Sequence, residues 1–564
     1  MKNFFTLDHG FWVVLALAFG LRMAGIHFGL PSIFHQDEPI IVNHALAMGA
    51  EGWNTHFFVL PPFVTEALFI VYAIIYTAGH LLHVFPDPDL FAIAFLKDPT
   101  LFYVLGRILF GAAAGTATVA LLWAIGKRFF SRETGFLSAL FLAVLFFHTQ
   151  QSHYLYVDVP LTLATTLLVY GALRILKEGS TKSFIFAGVA LGWAVSIKYT
   201  ALYFLPTVLA AYVLVFLRQS LKPAHLGKLV LAGLASLGIF FILAPYTFLD
   251  SKTFLTQMSA QAGAESPVGL WHHLRYSLLE GTGFFFLAAS VWGAVLLFIE
   301  RRKEAILLIG TVVFYCLVNA FFSQRYARYM LPMAPVLSLF AGYSFMVLFR
   351  TERKKVFFKS FIFGFFLIGL LLPTVYSDFL FSSEDTRTQA LRWFYKNVSE
   401  RSVVVLDNRF NSPRLEPTRE QVFEKYKEAP VDSHQVVKKK RLDLELRAAN
   451  NGPVYTVYVL MNQNNRESPF LFAGPYVKMD LDDLRKIGAG YLVVNYAYDN
   501  SRVIAFMKSE PGVFEKVAVF TPYHNASRRW SGDRYASTAA PHAMQELFSR
   551  RRLGPYIEVY RIRQ

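Results

Sequence analysis

Apolar runs of about 20 residues recur between residues 11 and 376, and each is about long enough to cross a bilayer as a helix. Over the whole chain 54% of the residues are hydrophobic and only 17% are charged. Such a chain folds as a polytopic α-helical membrane protein. The first run contains Arg22 and is followed by no clear A-x-A cleavage pattern, so we expect it to remain as a span.

Lysine and arginine gather in five of the gaps between the apolar runs, near residues 127–132, 174–182, 218–228, 301–303 and 350–359. Basic clusters of this kind mark cytoplasmic loops. The formal net charge of +16 therefore indicates topology, and no nucleic-acid partner is expected. We predict a multi-pass protein of the cell inner or plasma membrane with a cytoplasmic N-terminus. The single cysteine, Cys316, excludes an intrachain disulfide.

Two segments decide the number of spans. Residues 183–217 carry Lys198 as their only charge, and as one helix they would be about 52 Å long, too long for a core of about 30 Å. We therefore expect two spans that meet at Lys198 on the outer face. Residues 61–83 are apolar enough to span, but the basic gaps favour a non-crossing surface helix, with an extra crossing in 90–126 as the alternative. The count is 11 spans, with 12 or 13 as alternatives.

After residue 376 the composition changes, because charges, Asn and Pro become frequent and the apolar stretches shorten. We predict helices at 388–397 and 481–486, and strands at 403–406, 455–460, 491–494, 517–520 and 556–560. The chain is accordingly divided into a transmembrane domain, 1–378, and an external soluble α/β domain, 379–564. The run Lys438-Lys439-Lys440-Arg441 is predicted to be a solvated face of this domain.

Two adjacent carboxylates follow the first apolar run, in the sequence Phe34-His35-Gln36-Asp37-Glu38-Pro39. They lie in the first predicted external loop, residues 31–60. Adjacent side chains point in different directions, so one acid is expected to face a ligand while the other braces the loop or binds something else. An acidic pair alone also fits a solvated loop. Further polar residues share the predicted outer face: His56, Asp158, Lys198, Arg325 and Arg328.

A string of separated motifs runs from about residue 10 to about residue 410. It consists of Asp37-Glu38 with Ala45 and Gly49, the 56–62 stretch, Arg107, Ser152 with Asp158, Lys198-Tyr199, Arg328-Tyr329-Met330-Leu331-Pro332, and Asp385-Thr386-Arg387 with Ala390 and Trp393. In order and spacing these motifs resemble the GT-C superfamily of multi-spanning glycosyltransferases. The resemblance is greatest to the branch with protein O-mannosyltransferases and the lipid A aminoarabinose transferase.

The resemblance implies a GT-C-like fold with a catalytic first external loop, and a glycosyltransferase that moves a hexosyl or pentosyl group. The donor would be a polyprenyl-phosphate-linked sugar, and the acceptor a hydroxyl of a protein, glycan or lipid at the outer membrane face. A carboxylate suits an inverting displacement, so Asp37 would be the general base, with Glu38 and Asp158 as further catalytic candidates. Lys198, Arg325 and Arg328 would bind the donor phosphate. His56 and Arg107 would serve the acceptor or the loop.

Several alternatives stay open at this stage. Asp158 could cap a helix that starts near Pro160, Glu38 could bind a metal, a polar acceptor or loop backbone, and Arg107 could anchor its span at the interface. No cofactor is certain. A divalent metal is left open, with Asp37, Asp158, His35 and His153 as candidate ligands, although the spacings match no compact zinc pattern.

A multi-spanning transporter or flippase of a lipid-linked or anionic substrate is the alternative function. It would place ionisable residues within the spans, near the membrane midplane. The expected partners of the transferase are the donor, the acceptor and membrane lipids.

Overall fold

The computed structural model describes residues 7–216, 223–261, 269–321, 326–350, 355–409, 411–428, 436–448, 452–461, 474–497, 500–529 and 542–563. Up to residue 382 the elements are helical, and a mixed α/β region follows. The helices of the first part are α1 (Leu7–Met23), α2 (Glu38–Glu51), α3 (Phe63–Leu81), α4 (Pro88–Lys97), α5 (Thr100–Gly106), α6 (Ala114–Phe129), α7 (Arg132–Val144), α8 (Phe146–Gln151), α9 (Asp158–Glu178), α10 (Thr181–Ile197), α11 (Leu205–Phe216), α12 (Pro223–Leu243), α13 (Tyr246–Leu249), α14 (Ser251–Gln261), α15 (Gly269–His272), α16 (Phe284–Glu300), α17 (Arg302–Ala320), α18 (Ala334–Arg350) and α19 (Val356–Ser382). Short π-helical turns (Arg107–Ala113 and His273–Glu280) and 3-10 turns (Tyr199–Phe204 and Ala327–Met333) join some of these helices.

Within the described ranges, eight helical segments are long and apolar enough to cross a membrane. They are Phe63–Leu81, Thr100–Phe129, Asp158–Glu178, Tyr199–Phe216, Pro223–Leu243, Arg302–Ala320, Ala327–Arg350 and Val356–Asn397, and a pair bent by 108°, Gly269–Glu280 with Phe284–Glu300, brings the number to nine if it is one span. The protein is thus a polytopic helical membrane protein.

The number of candidate spans is lower than the 11 predicted because some membrane-part helices are short. The apolar helix α10, for example, has 17 residues. The segment that we expected to be a surface helix forms α3, which satisfies the length and composition of a span. Whether α3 crosses or lies on the surface therefore stays a prediction.

The break at Lys198 is confirmed. Helix α10 ends at Ile197, Lys198 itself is extended (φ −156°, ψ 129°), and the chain resumes as a 3-10 turn that leads into α11. The extended residue turns its side chain out of the helical path, so the only charge in this long apolar stretch lies at a helix end.

Helices α9 and α18 lie at the centre of the bundle, since their spans are the most deeply buried of the candidates. The hydroxyls of Thr162, Thr165 and Thr166 in α9 each donate to a carbonyl one turn earlier. Buried hydroxyls in an apolar interior need such partners. Asp158 begins α9 and Arg328 lies in the 3-10 turn before α18, so both are fixed by the most rigid part of the bundle.

The region after α19 is a sheet with helices on both faces. Its helices are α20 (Thr386–Asn397), α21 (Arg419–Glu428), α22 (Val436–Arg447), α23 (Leu481–Lys486), α24 (Ser501–Ser509) and α25 (Met544–Phe548), and its strands are β1 (Val403–Leu406), β2 (Glu416–Pro417), β3 (Val454–Leu460), β4 (Tyr476–Val477), β5 (Tyr491–Asn495), β6 (Phe514–Phe520) and β7 (Ile557–Ile562). The strand order is β2-β3-β1-β5-β7-β6, with β4 also on β3. Strands β3, β1 and β5 are parallel, and β7 is antiparallel to both β5 and β6.

The strands lie where short apolar pieces predicted them, with ends that differ by up to three residues. The sequence-based boundary at residue 378 falls inside the last turns of α19, and the helix gives way to extended chain only at Ser383, before α20.

The C-terminal region packs against one end of the bundle. The guanidinium of Arg387 lies 3.8 Å from the ring centroid of Phe34, and Arg414 Nη1 donates to the carbonyl of Ser32 at 2.9 Å. Lys440 Nζ lies 3.0 Å from an oxygen of Asp89, and Arg441 donates to Asn43. The basic run was predicted to be only a solvated face. Part of it instead docks on α2 and α4, because these helices present the polar groups that it pairs with.

The packing of α16 on α18 gives a first prediction. A Cβ on Gly293 would overlap the main chain of Phe340, whereas a Cβ on Gly310 in α17 would meet no atom within 4 Å. We expect Gly293→Ala to lower the melting temperature in detergent, with an overpacking cost of about 1–3 kcal/mol. Gly310→Ala is the control, and alanine's helix propensity should leave its melting temperature equal or higher. Equal melting temperatures for the two variants would contradict this packing.

Candidate active site

The two carboxylates of the first loop, Asp37 and Glu38, lie in different surroundings. Asp37 occupies the N-cap position of α2, but its side chain makes no capping hydrogen bond and is free to face the bundle. The main-chain N–H of Asp37 lies 3.3 Å from Nδ1 of His35, whose ring is tilted by 33° against that of Tyr154 at a centroid distance of 4.4 Å. Glu38 begins the helix and is fully buried. The pair therefore divides into one acid that faces the site and one that faces the protein interior.

Glu38 forms a bidentate ion pair with Arg107 in which both side chains are fully buried. Arg107 Nε donates to Glu38 Oε1 at 2.8 Å and Nη2 donates to Oε2 at 2.7 Å. Arg107 Nη1 also donates to the carbonyls of Ile26 and Phe28, and the N–H of Leu155 donates to Glu38. This arrangement connects the first loop, the π-helical turn and the segment before α9. Arg107 is thus a bracing residue rather than an interfacial anchor.

Asp37 and Asp158 share one arginine. Arg328 Nη2 lies 2.8 Å from Asp37 Oδ2, and Arg328 Nε lies 3.4 Å from Asp158 Oδ2. Lys198 Nζ donates to the other oxygen of Asp158 at 2.6 Å. We call these four residues, Asp37, Asp158, Lys198 and Arg328, the ion network. Sequence analysis selected all four, and the structure brings them together.

Tyrosines flank the cations of the ion network. The Arg328 guanidinium lies 4.8 Å from the ring centroid of Tyr156 and 4.5 Å from that of Tyr326, and Lys198 Nζ lies 4.6 Å from that of Tyr329. Each ring face attracts a cation and limits its movement. Sequence analysis gave these tyrosines no role. The signal available was their position one or two residues from Asp158 or Arg328.

Asp37 is the more exposed of the two network carboxylates, with 26% of its side chain exposed against 3% for Asp158. Burial would raise the pKa of Asp37, but the charge and hydrogen bond of Arg328, with the charge of Lys198, outweigh it and hold that pKa below its ordinary value. The carboxylate is therefore ionised at neutral pH. Burial also lowers the pKa of His35, so its imidazole is neutral at neutral pH.

The sequence-based metal candidates do not form a metal site. Among the described residues, no three His, Cys, Asp or Glu side chains are grouped so as to hold an ion. His153 Nε2 lies 2.8 Å from the carbonyl of Ala24 and 3.5 Å from Asp378, and His35 faces tyrosine rings. Asp37 and Asp158 are neutralised by Arg328 and Lys198, so the donor set does not fit a divalent cation.

The remaining candidates are placed as follows. Asp158 does not cap its own helix, because its side chain is bonded to Lys198 and the N-cap position belongs to Val157. His56 Nδ1 lies 2.8 Å from Asp250, outside the ion network, and its loop is held to α14 by Gln257. Arg325 lies outside the described residues.

Comparison with known proteins gives one family match and several solved structures of similar fold. A family model described as dolichyl-phosphate-mannose-protein mannosyltransferase matches residues 102–246, less than half of the chain. No curated protein matches. The apo crystal structure of ArnT from Cupriavidus metallidurans aligns with a TM-score of 0.50 at 13% identity, over 91% of this chain and 97% of that one. The apo oligosaccharyltransferase from Archaeoglobus fulgidus aligns with a TM-score of 0.50 at 11% identity, over 98% and 88%.

The fold and the partial family match support a place for this chain among the GT-C membrane glycosyltransferases. The resemblance to the protein O-mannosyltransferase and ArnT branch, drawn above from separated motifs, is confirmed. The matched family segment, residues 102–246, includes Arg107, Asp158 and Lys198. At 11–13% identity the two solved structures show the fold alone.

The buried Glu38–Arg107 pair gives the second prediction. Arg107→Met leaves a buried carboxylate without its partner, which costs about 3–5 kcal/mol, so the variant should melt far below wild type in detergent. Adding Glu38→Gln should restore part of the loss, because the unpaired charge is removed. The control is Arg392→Met, since Arg392 is 74% exposed in its pair with Glu384 and such pairs contribute about 1 kcal/mol or less. Similar melting temperatures for Arg107→Met and Arg392→Met would refute the bracing role.

Proposed function

We propose that the protein transfers a sugar from a polyprenyl-phosphate donor to an acceptor hydroxyl at the outer membrane face, with inversion. The observation that supports this most is the ion network, which combines an ionised, partly exposed carboxylate with two cations at one end of the bundle. A lipid-phosphate sugar carries its own leaving group. The protein then has to supply a base for the acceptor and positive charge for the departing phosphate.

Asp37 is the general base in this proposal. It takes the proton of the acceptor hydroxyl while the acceptor oxygen attacks the anomeric carbon. The bond from that carbon to the phosphate oxygen breaks, and its electron pair leaves with the polyprenyl phosphate. Lys198 and Arg328 stabilise the negative charge that grows on the phosphate, the lysine as a point charge and the arginine through several N–H groups. Arg325 is a further phosphate candidate from its sequence position.

Asp158 and Glu38 are positioning residues in this scheme. Asp158 touches both cations, so it sets the distance between the two groups that would bind the phosphate. Glu38 accepts hydrogen bonds from Arg107 and from the Leu155 N–H, and it thereby holds its neighbour Asp37 in place. His56 orders the same loop through Asp250, whose pKa is lowered to about 2: burial raises it, but hydrogen bonds from Asn54, Thr253 and His56 outweigh burial.

The transport alternative would need its ionisable residues near the middle of the bundle. The ion network instead lies at the starts of α9 and α18 and at the end of α10, beside the C-terminal region. With the basic gaps in the cytoplasm, this end is the external one. We accordingly propose that residues 379–564 form an external domain that covers the acceptor side of the site.

Asp37→Asn tests the base. Transfer or hydrolysis of radiolabelled polyprenyl-phosphate sugars by the purified protein should fall about 10²- to 10⁴-fold, because a general base contributes that much. The melting temperature should stay near that of wild type, since Asp37 makes no capping bond and the amide oxygen of asparagine can still accept a hydrogen bond from Arg328. Asp98→Asn, at an exposed carboxylate, is the control and should keep full activity. Undiminished turnover in a folded Asp37→Asn variant would remove Asp37 from the chemistry.

Lys198→Met tests the phosphate site. A lost charge-assisted hydrogen bond of about 1.5–3 kcal/mol predicts a donor KM about 10- to 100-fold higher. Lys198→Arg keeps the charge and separates a binding defect from a folding defect caused by unpaired Asp158. Lys252→Met, at an exposed lysine of α14, should leave the donor KM unchanged. A normal donor KM in folded Lys198→Met would argue against the assignment.

A further inference from the structure

A second polar cluster lies in the C-terminal domain, where β1 and β5 end side by side. Asp407 follows β1 directly and is buried. Its two carboxylate oxygens accept hydrogen bonds from the main-chain N–H and the side-chain Nδ2 of Asn495, at 2.9 and 2.6 Å. Asn495 Nδ2 also lies 3.3 Å from Ser412 Oγ. Asn408 and Asn411 complete what we call the switch-point cluster: Asp407, Asn408, Asn411, Ser412 and Asn495.

The topology of the sheet gives this place its significance. From β1 the chain crosses to β3 on one side, and from β3 it returns past β1 to β5 on the other side. The carboxyl ends of β1 and β5 therefore form a topological switch point. In open α/β sheets, ligands bind in the crevice outside such a point.

Asn411 supplies an independent observation. Its side chain is fully buried, and among the described residues neither its amide nitrogen nor its amide oxygen has a hydrogen-bond partner. The main-chain N–H of Asn411 donates to Asn408 Oδ1, so the loop holds this residue in place. A buried amide that lacks partners destabilises the free protein, and such a group calls for a functional reason.

The loop that carries the cluster also contacts the first loop. Arg414, in the loop that begins at Asp407, donates to the carbonyl of Ser32 in the first loop at 2.9 Å. Ser32 and Asp37 are parts of one short segment, and Phe34 between them is covered by Arg387. A molecule held at the switch point would therefore lie on the side from which the first loop presents Asp37.

We propose that the switch-point cluster binds a sugar ring of the acceptor. Side-chain amides, a carboxyl and a hydroxyl can each donate to or accept from the hydroxyls of a sugar, and Arg409 of the same loop donates to the hydroxyl of Tyr476. Burial raises the pKa of Asp407, while the hydrogen bonds from Asn495 and Asn408 act against that rise. The inference rests on the proposed glycosyltransferase function and assigns its acceptor to the carbohydrate class.

Stability and binding should change in opposite directions when Asn411 is replaced. Asn411→Ala removes an unpaired buried amide, so we expect an equal or higher melting temperature of the full-length protein in detergent. Asn397→Ala, at an exposed asparagine of α20 in the same domain, is the control. A melting temperature several degrees below both wild type and control would mean that the amide is structural and would overturn the proposal.

Binding is measured with the methyl glycosides of glucose, mannose, galactose and N-acetylglucosamine, by saturation-transfer NMR on the full-length protein. We expect at least one to bind wild type, with about tenfold weaker binding to Asn411→Ala and unchanged binding to Asn397→Ala, a loss typical of one hydrogen-bonded site group. Asn411→Leu serves as a second variant of similar size. Binding that is absent from wild type, or equal in Asn411→Ala and wild type, would overturn the proposal.

Donor hydrolysis separates this proposal from the proposed function. Asn411→Ala should hydrolyse a polyprenyl-phosphate sugar at the wild-type rate, because it lies outside the ion network. Asp37→Asn should lose hydrolysis and still bind the glycoside. Glycoside binding by a wild-type protein that hydrolyses no donor would contradict the transferase and leave the sugar site standing. Donor hydrolysis by a wild-type protein that binds no glycoside would support the transferase and overturn the sugar site.

Discussion

The buried pair between Glu38 and Arg107 is the interaction on which the arrangement of the site depends. Its two charges lie in the protein interior, and each is saturated by hydrogen bonds to main-chain groups of other segments. Replacing such a pair with apolar residues is often neutral for stability, whereas breaking it is costly. We infer that its value here is positional. It fixes the residue next to Asp37 to the π-helical turn at Arg107 and to the approach to α9, so Asp37 meets the residues that α9 and α18 hold.

The ion network balances two negative charges with two positive ones before any substrate binds. Arg328 touches both carboxylates. Its charge keeps Asp37 ionised, and the same ion pair makes Asp37 a weaker proton acceptor. A donor phosphate in the proposed site would compete with Asp37 and Asp158 for Arg328 and Lys198. As the cations turn toward the phosphate, Asp37 would lose part of its pairing and become a better proton acceptor. Donor binding and activation of the base are thus coupled through shared charges.

Sequence reasoning predicted elements that depend on local pattern. The break at Lys198, the strands of the C-terminal domain and the four members of the ion network could all be found from apolar runs, charge placement and motif order. It could not predict that Glu38 pairs with Arg107 or that His56 pairs with Asp250, because only the folded chain brings these residues together. It could not tell which apolar runs form helices of spanning length, since hydropathy does not show where a helix ends, and it left a metal open because histidine counts do not show which way the rings face.

The C-terminal domain contacts the first loop, which carries Asp37. Arg387 covers Phe34, Arg414 holds Ser32, and the basic helix α22 docks on α2 and α4, so the first loop is held from above as well as by the bundle. A loop fixed from both sides cannot move independently of the sheet. In the proposed function, these contacts would help the domain to present an acceptor hydroxyl to Asp37. The buried amide of Asn411, which has no hydrogen-bond partner among the described residues, lies at the carboxyl edge of the sheet, where the fold of the domain favours a ligand.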